Sequence, residues 1–219
     1  MQLNGMATEL SISSVAPGGF SVIGMLGGPG SGKGTQCKLL AQAFNLNHIS
    51  IGDIMRQEMN RAGSEYASII EQNMRAGTVA PKEVTIPVLK SHMLEALQQG
   101  TDLFVLDGFP RSLEQALFFE EVVAPIELVI VLECPDATLV DRLLPRERFD
   151  DNLENIRKRL RTFHETTSKV VDLYRGRGKV KAVNAADAVE TVHQQLVEVL
   201  KFKEPKSQDT IGGPVSEQV

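Results

Sequence analysis

A surplus of positive charge is the first thing this sequence lacks. Its 219 residues hold 23 Lys and Arg against 28 Asp and Glu, a formal net charge of −5, and its pI is near 5.5. Binding along a nucleic-acid backbone needs a basic surface, so no nucleic-acid partner is expected, and any local cluster of arginines needs a local explanation. Cysteine is scarce: Cys37 and Cys134 stand far apart without pairing or ligand spacing, which predicts a reducing compartment and two small buried hydrophobes. His48, His92, His164 and His193 are scattered without metal-ligand spacing, and none is assigned a role. No apolar run approaches the ~18 residues that a membrane-spanning helix requires, so no membrane partner is expected. No basic residue precedes Lys33, so residues 1–19 lack the positive start of a secretory signal and the arginines of a transit peptide. The expected compartment is the cytoplasm.

What is present is an alternation of short apolar runs with longer amphipathic stretches. Residues 20–26, 48–51, 103–106, 128–132 and 180–183 read as buried strands. Residues 34–44, 54–62, 65–75, 82–98, 113–123, 137–144, 152–174 and 186–201 read as helices. This pattern predicts an α/β domain, a five-stranded parallel sheet covered by helices on both faces. Ligands in such sheets bind outside the carboxyl ends of the strands, so residues just after each strand matter most. The expected organisation is a flexible polar extension over 1–19, one domain over 20–202, and a flexible tail over 203–219. Met55, Met59, Met74 and Met93 fall in helical stretches and read as core filling.

Directly after the first strand stands Gly27-Gly28-Pro29-Gly30-Ser31-Gly32-Lys33-Gly34-Thr35, with a helix following at once. Glycines here let consecutive backbone N–H groups turn inward as an anion cradle. The helix start adds its positive dipole end and Lys33 a point charge, an arrangement built for a polyphosphate. The usual loop of this kind has Ser or Thr straight after the lysine, whereas here Gly34 intervenes and the hydroxyl sits at Thr35. Asp107 ends the third apolar run, from which a carboxylate can hold magnesium or its waters beside that loop. Asp53 is expected to cap the helix after the second strand. Asp150 and Asp151 begin a long helix, where a carboxylate is also an ordinary cap.

Glycine after the loop lysine, in Gly27–Gln36, resembles adenylate kinases and UMP/CMP kinases, and further segments match that family in order. Ser50-Ile51-Gly52-Asp53-Ile54-Met55-Arg56 resembles the monophosphate-binding segment, Asp107-Gly108-Phe109-Pro110-Arg111 its most recognisable signature, and Arg148-Phe149-Asp150-Asp151-Asn152 with Arg159 the end of its lid. The likeness runs from about residue 20 to about residue 200. It implies a P-loop kinase core, a helical monophosphate-binding segment over about 50–80 and a very short lid over about 143–150. It also implies an ATP- and magnesium-dependent monomeric phosphotransferase that moves the γ-phosphoryl group of ATP onto a nucleoside monophosphate. Such transfer crowds negative charge together and is catalysed by positioning and electrostatic stabilisation.

The site residues that the resemblance implies are as follows. Lys33, Arg111, Arg142, Arg148 and Arg159 would act on the transferring group. ATP would be held by Gly28, Gly30, Ser31, Gly32, Lys33, Gly34, Thr35, Arg142, Arg146 and Asp187. Thr35 and Asp107 would hold magnesium through water. The monophosphate would meet Ile51, Arg56, Thr78, Val79, Ala80, Gly108, Phe109, Arg111, Gln115, Arg148 and Arg159. Arginine suits these roles because its planar fork grips two phosphate oxygens and stays charged. Arg157 and Arg161 read as a solvated helix face, and one or both of Asp150 and Asp151, by resemblance, close the lid through arginine pairs.

Gln115 stands where adenylate kinases carry the glutamine that reads adenine and UMP/CMP kinases carry asparagine, which favours AMP as acceptor. Ile51 departs from both, since the position is usually threonine in the first and alanine in the second, and residues 81–86 resemble the pyrimidine enzymes more. Only Glu147 separates Arg146 from Arg148, where the short-lid members that the chain resembles usually carry a longer loop with glycine and serine, so the resemblance implies a clipped lid tip. A clipped lid excludes water less well, and ATP hydrolysis without acceptor is expected. A regulatory GTPase lacks support, because no Asn-Lys-x-Asp segment is present. A nucleotide sensor with weak turnover and a UMP/CMP kinase remain as alternatives.

Overall fold

The computed structural model describes residues 19–145 and 152–201. Five strands, β1 (Ser21–Gly27), β2 (Asn47–Ser50), β3 (Leu103–Asp107), β4 (Leu128–Glu133) and β5 (Val180–Asn184), form one sheet in the order β2-β3-β1-β4-β5. All of its pairings are parallel. The helices are α1 (Lys33–Ala43), α2 (Ile51–Asn60), α3 (Ala67–Ala76), α4 (Lys82–Gln98), α5 (Leu113–Val122), α6 (Asp136–Leu143), α7 (Leu153–Thr162), α8 (Ser168–Gly176) and α9 (Val189–Lys201). One π turn, Phe163–Thr167, joins α7 to α8. The chain is therefore the expected α/β fold with a five-stranded parallel sheet flanked by helices. Among the described residues no helix is long and apolar enough to cross a membrane.

Period-two alternation sends successive strand residues to opposite faces, and both faces are cored. Val22, Leu26, Phe104, Leu106, Val129 and Val131 pack on the side of α2, α4, α5 and α8. Ile23, Met25, Val105, Ile130 and Leu132 pack on the side of α1 and α9, against Cys37, Leu40 and Leu196. A third small cluster, Leu139, Leu143, Ile156 and Leu160, joins α6 to α7. Burial of this kind contributes about 25 cal/mol per Å² of apolar surface. Because β1 is central, its carboxyl end lies between β3 and β4, with Met25 beside Asp107 and Gly27 beside Leu132 in register.

Several boundaries differ from the sequence expectation, each for a local reason. Ile51 opens α2 instead of closing a strand, because Ser50 caps the helix by accepting from the Asp53 N–H at 3.4 Å. Asp53 is thus the first-turn acid and not the cap; it accepts from Arg56 Nη1 at 2.7 Å. The helix expected over 152–174 is broken by the π turn, and Asn152 caps its start by accepting from Asn155 N–H at 2.9 Å. The last helix begins at Val189 and not at 186, because Ala185 and Ala186 lend their carbonyls to Arg142. β5 is an edge strand with Lys181, Ala182 and Asn184 exposed, not a buried one. Cys37 is fully buried as expected, whereas Cys134 is only half-buried. Met55 and Met93 are buried, and Met59 and Met74 pack at the core's margin. The lid residues Arg146, Glu147, Arg148, Asp150 and Asp151 lie outside the described residues, as do 1–18 and 202–219.

Candidate active site

The loop 27–35 leaves β1, wraps the start of α1 and forms one wall of a cleft of about 650 Å³. Gly32 stands at the helix N-cap with φ 88°, a left-handed conformation that a side chain would strain. Lys33 reaches back over the loop, donating to Gly27 O at 2.7 Å, Gly28 O at 2.9 Å and Ser31 Oγ at 3.4 Å. Burial pushes its ammonium down to about 8, with Arg111 and Arg159 adding repulsion and Asp107 opposing them. A lysine so placed gains from any anion entering the cradle.

Asp107, at the end of β3, is 9% exposed and faces the same cleft. Burial would raise its carboxyl, but the adjacent His48 imidazole and the Lys33 charge outweigh that and hold it below the usual carboxylate range. His48 Nε2 lies 3.5 Å from Asp107 Oδ2. Thr35 is exposed on the cleft wall near this acid. An ionised carboxylate and a hydroxyl form the all-oxygen donor set that magnesium prefers.

Arginines converge from four elements. Arg56 on α2, Arg111 after β3, Arg142 on α6 and Arg159 on α7 all line the cleft. Arg111 Nε donates to Gly108 O at 2.7 Å, and its own carbonyl accepts from Thr167 Oγ1 at 3.1 Å. Arg142 donates to Ala185 O at 2.7 Å and Ala186 O at 3.2 Å, tying α6 to the turn after β5 where Asp187 also lines the cleft. Arg157 and Arg161 point away and are exposed, so the expectation that separated them from the clamping set agrees with their placement.

Beside the main cleft a smaller cavity of about 50 Å³ is lined by Ile51, Thr78, Val79, Ala80, Thr85, Asn73, Arg111 and Gln115, among others. Gln115 is 2% exposed, and its hydrogen bonds are largely internal. Its amide nitrogen donates to Ala80 O at 2.9 Å and Thr85 Oγ1 at 3.2 Å, and its oxygen accepts from Arg111 N–H at 3.0 Å. The two backbone partners fix which end is oxygen. Gln115 therefore joins the cavity wall to the backbone of Arg111.

Most of the expected site residues meet in these two connected spaces: Gly30, Ser31, Gly32, Lys33, Gly34, Thr35, Arg56, Asp107, Gly108, Arg142, Arg159 and Asp187 in the cleft, Ile51, Ala80 and Gln115 in the smaller cavity, and Thr78, Val79 and Arg111 in both. Two do not. Phe109 is fully buried and packs edge-to-face on Phe119 with ring centroids 5.1 Å apart, so its side chain belongs to the core and does not line either space. The positive φ of Gly108, 75°, turns the chain so that Phe109 enters the core. Gly28 faces Leu139 rather than the cleft, and contributes its carbonyl to Lys33. Arg146 and Arg148 lie outside the described residues. Sequence reasoning also gave no site role to several cleft residues, His48 and Gln36 among them. His48 follows the second strand pattern without a motif to mark it. Gln36 is buried behind Thr35, donating to Val189 O at 2.9 Å.

Comparison with known proteins agrees with this geometry. The family model described as "Adenylate kinase" matches residues 25–179. The uridylate kinase of Saccharomyces cerevisiae is 35% identical over 89% of this chain and 98% of its own length. The UMP-CMP kinase of Lentinula edodes is 39% identical over 80% and 83%, and adenylate kinase isoenzyme 1 of Caenorhabditis elegans is 36% identical over 86% and 91%. Loop, acid, arginines and adjoining cavity thus come together in a chain that belongs to the adenylate kinase family of nucleoside monophosphate kinases.

Proposed function

We propose that this protein transfers the γ-phosphoryl group of ATP to a nucleoside monophosphate whose base carries an exocyclic amino group, AMP first and CMP second. The convergence of Lys33, Arg56, Arg111, Arg142 and Arg159 on one cleft supports the transfer, because in-line displacement between two nucleotides is driven by positioning and charge stabilisation. ATP phosphates would sit in the cradle of Gly30–Thr35, with Lys33 released from its own loop carbonyls to meet them. The acceptor phosphate would be held by Arg56, Arg111 and Arg159. Thr35 and Asp107 fit magnesium, which when bound neutralises charge on the β- and γ-phosphates. Arg146, Arg148 and the short lid complete the set in this proposal.

Base choice rests on Gln115. Both of its amide hydrogens are spent on Ala80 and Thr85, and its oxygen retains one lone pair beyond the bond from Arg111. An acceptor alone pairs with an amino group, as on adenine or cytosine, and has nothing to offer a carbonyl at the same place, as on uracil. Ile51 adds only apolar contact. The names of the relatives, uridylate kinase and UMP-CMP kinase, favour UMP or CMP, whereas the bonding of Gln115 favours AMP and, of the two pyrimidines, CMP. The deciding experiment supplies ATP and magnesium with AMP, CMP, UMP, dCMP or GMP separately and follows both diphosphates. Turnover with AMP or CMP at least ~10-fold above UMP is expected, the size of one lost hydrogen bond to the base. UMP as the best acceptor would overturn the reading of Gln115, and no product with any acceptor would favour a nucleotide sensor.

A further inference from the structure

Three side chains of different chemistry meet beneath the phosphate loop. Cys37 Sγ, a ring nitrogen of His48 and a carboxylate oxygen of Asp107 lie within 4.8 Å of one another. They come from α1, β2 and the end of β3, and the parallel register that sets Ser50 beside Asp107 brings β2 and β3 into line. Cys37 is one helical turn past Lys33 and fully buried, while His48 and Asp107 keep 12% and 11% of their side chains open on the cleft. His48 Nε2 is buried without a hydrogen bond among the described residues, its nearest acid at 3.5 Å.

We infer that Cys37, His48 and Asp107 form a binding site for a thiophilic divalent cation of the zinc class, separate in chemistry from the magnesium site it adjoins. A tetrahedral zinc with metal–sulfur near ~2.3 Å and metal–nitrogen and metal–oxygen near ~2.0–2.2 Å requires its ligand atoms ~3.3–3.7 Å apart. The three atoms, within 4.8 Å of one another, would close to that spacing on binding. A thiolate, an imidazole and a carboxylate form a donor set that zinc and cadmium prefer and magnesium does not. The cleft side supplies the fourth position, to water. Binding displaces the Cys37 thiol proton to solvent and leaves the cation's charge shared by two anionic ligands and one neutral ring. Because Asp107 is one of the three, occupancy also removes it from any role with magnesium. That consequence, unlike the binding itself, rests on the proposed kinase function.

Cadmium alone, added to nucleotide-free protein, reads the site through its thiolate charge-transfer absorption. In a Cys134→Ala background, which removes the second thiol, the band is expected to rise to one equivalent per chain and to persist in a large excess of magnesium. Cys37→Ala in that background should lose the band. His48→Gln keeps the thiol and the fold's packing around it, and should weaken cadmium or zinc by ~10-fold or more. Zinc should compete with cadmium at the same stoichiometry, and a chelator should reverse both. A band that survives Cys37→Ala, or an affinity unchanged in His48→Gln, would overturn the site. Inhibition of phosphoryl transfer by zinc, relieved in Cys37→Ala, would then test the consequence separately. Cadmium binding without inhibition would sustain the site and remove only its effect on Asp107.

Discussion

Replacing Lys33 by Met takes away an ammonium that the fold holds at a cost and that the polyphosphate repays. Phosphoryl transfer should fall by ~100-fold or more in Lys33→Met, and similarly in Arg111→Ala, since in the proposed reaction both would act on charge developed in the transition state. Steady-state rates with far-UV spectra to show retained folding are the check, and near-normal turnover in either variant would remove the assignment. The same lysine makes a second, opposite contribution. Its proton leaves the folded protein at about 8 but stays on the unfolded chain to about 10.5. Between those values the unfolded state binds more protons, so stability rises with pH, by an upper bound of about 3 kcal/mol. Denaturant unfolding at pH 7.5 and pH 10 should therefore show the native protein gaining on Lys33→Met. A difference independent of pH would mean that Lys33 is fully solvated. Phosphates raise the lysine pKa again, so nucleotide binding near pH 8 takes up protons.

At the scale of elements, the loop and α6 are one packed unit. Gly30 has φ 88°, and a Cβ there would stand 2.6 Å from Leu139 O, a backbone atom that cannot step aside. At Gly28 the obstacle is Leu139 Cδ1, the end of a side chain that can rotate. Gly30→Ala should cost ~2 kcal/mol or more of stability and most of the ATP affinity, whereas Gly28→Ala should be markedly milder. Thermal unfolding and nucleotide binding of the two variants decide this, and equal losses would mean that loop strain is not local. The π turn makes a different connection. It sets Thr167, 5% exposed, against the backbone of Arg111. Thr167→Val keeps the shape and removes the donor, so kcat should fall ~3–10-fold with KM for ATP unchanged, a loss of about 1 kcal/mol. Thr167→Ser should restore it, and a Val variant with native kcat would leave Thr167 a packing residue only. These connections show what sequence could carry. Strands, loop and arginines were legible because their signals are local: period-two apolar runs, a glycine spacing, a signature following a strand. Phe109, His48, the π turn and the internal bonds of Gln115 were not, because each depends on residues far away in sequence.

The whole molecule divides its stability unevenly, and the site lies on the boundary. Two extended cores clamp the central strands from both faces, with β1, β3 and β4 almost wholly buried. By contrast α6 and α7 share a satellite cluster of four buried side chains, Leu139, Leu143, Ile156 and Leu160. Small clusters open at lower free energy than the global transition, so these helices belong to the weaker end of the fold. They also carry Arg142 and Arg159, which line the cleft and, in the proposed function, would meet the bound phosphates. A ligand that binds the closed arrangement adds its binding free energy to the segments it orders. Amide exchange over α6 and α7 should therefore slow by ~10-fold or more when a non-hydrolysable ATP analogue and a monophosphate are added together. Exchange in β1, β3 and β4, already limited by global unfolding, should change no more than the global stability does. Equal slowing throughout would show a single cooperative body, and no slowing in α6 and α7 would show that Arg142 and Arg159 do not engage the bound phosphates. The selective outcome would show that the arginine-bearing pair is ordered by the substrates it holds.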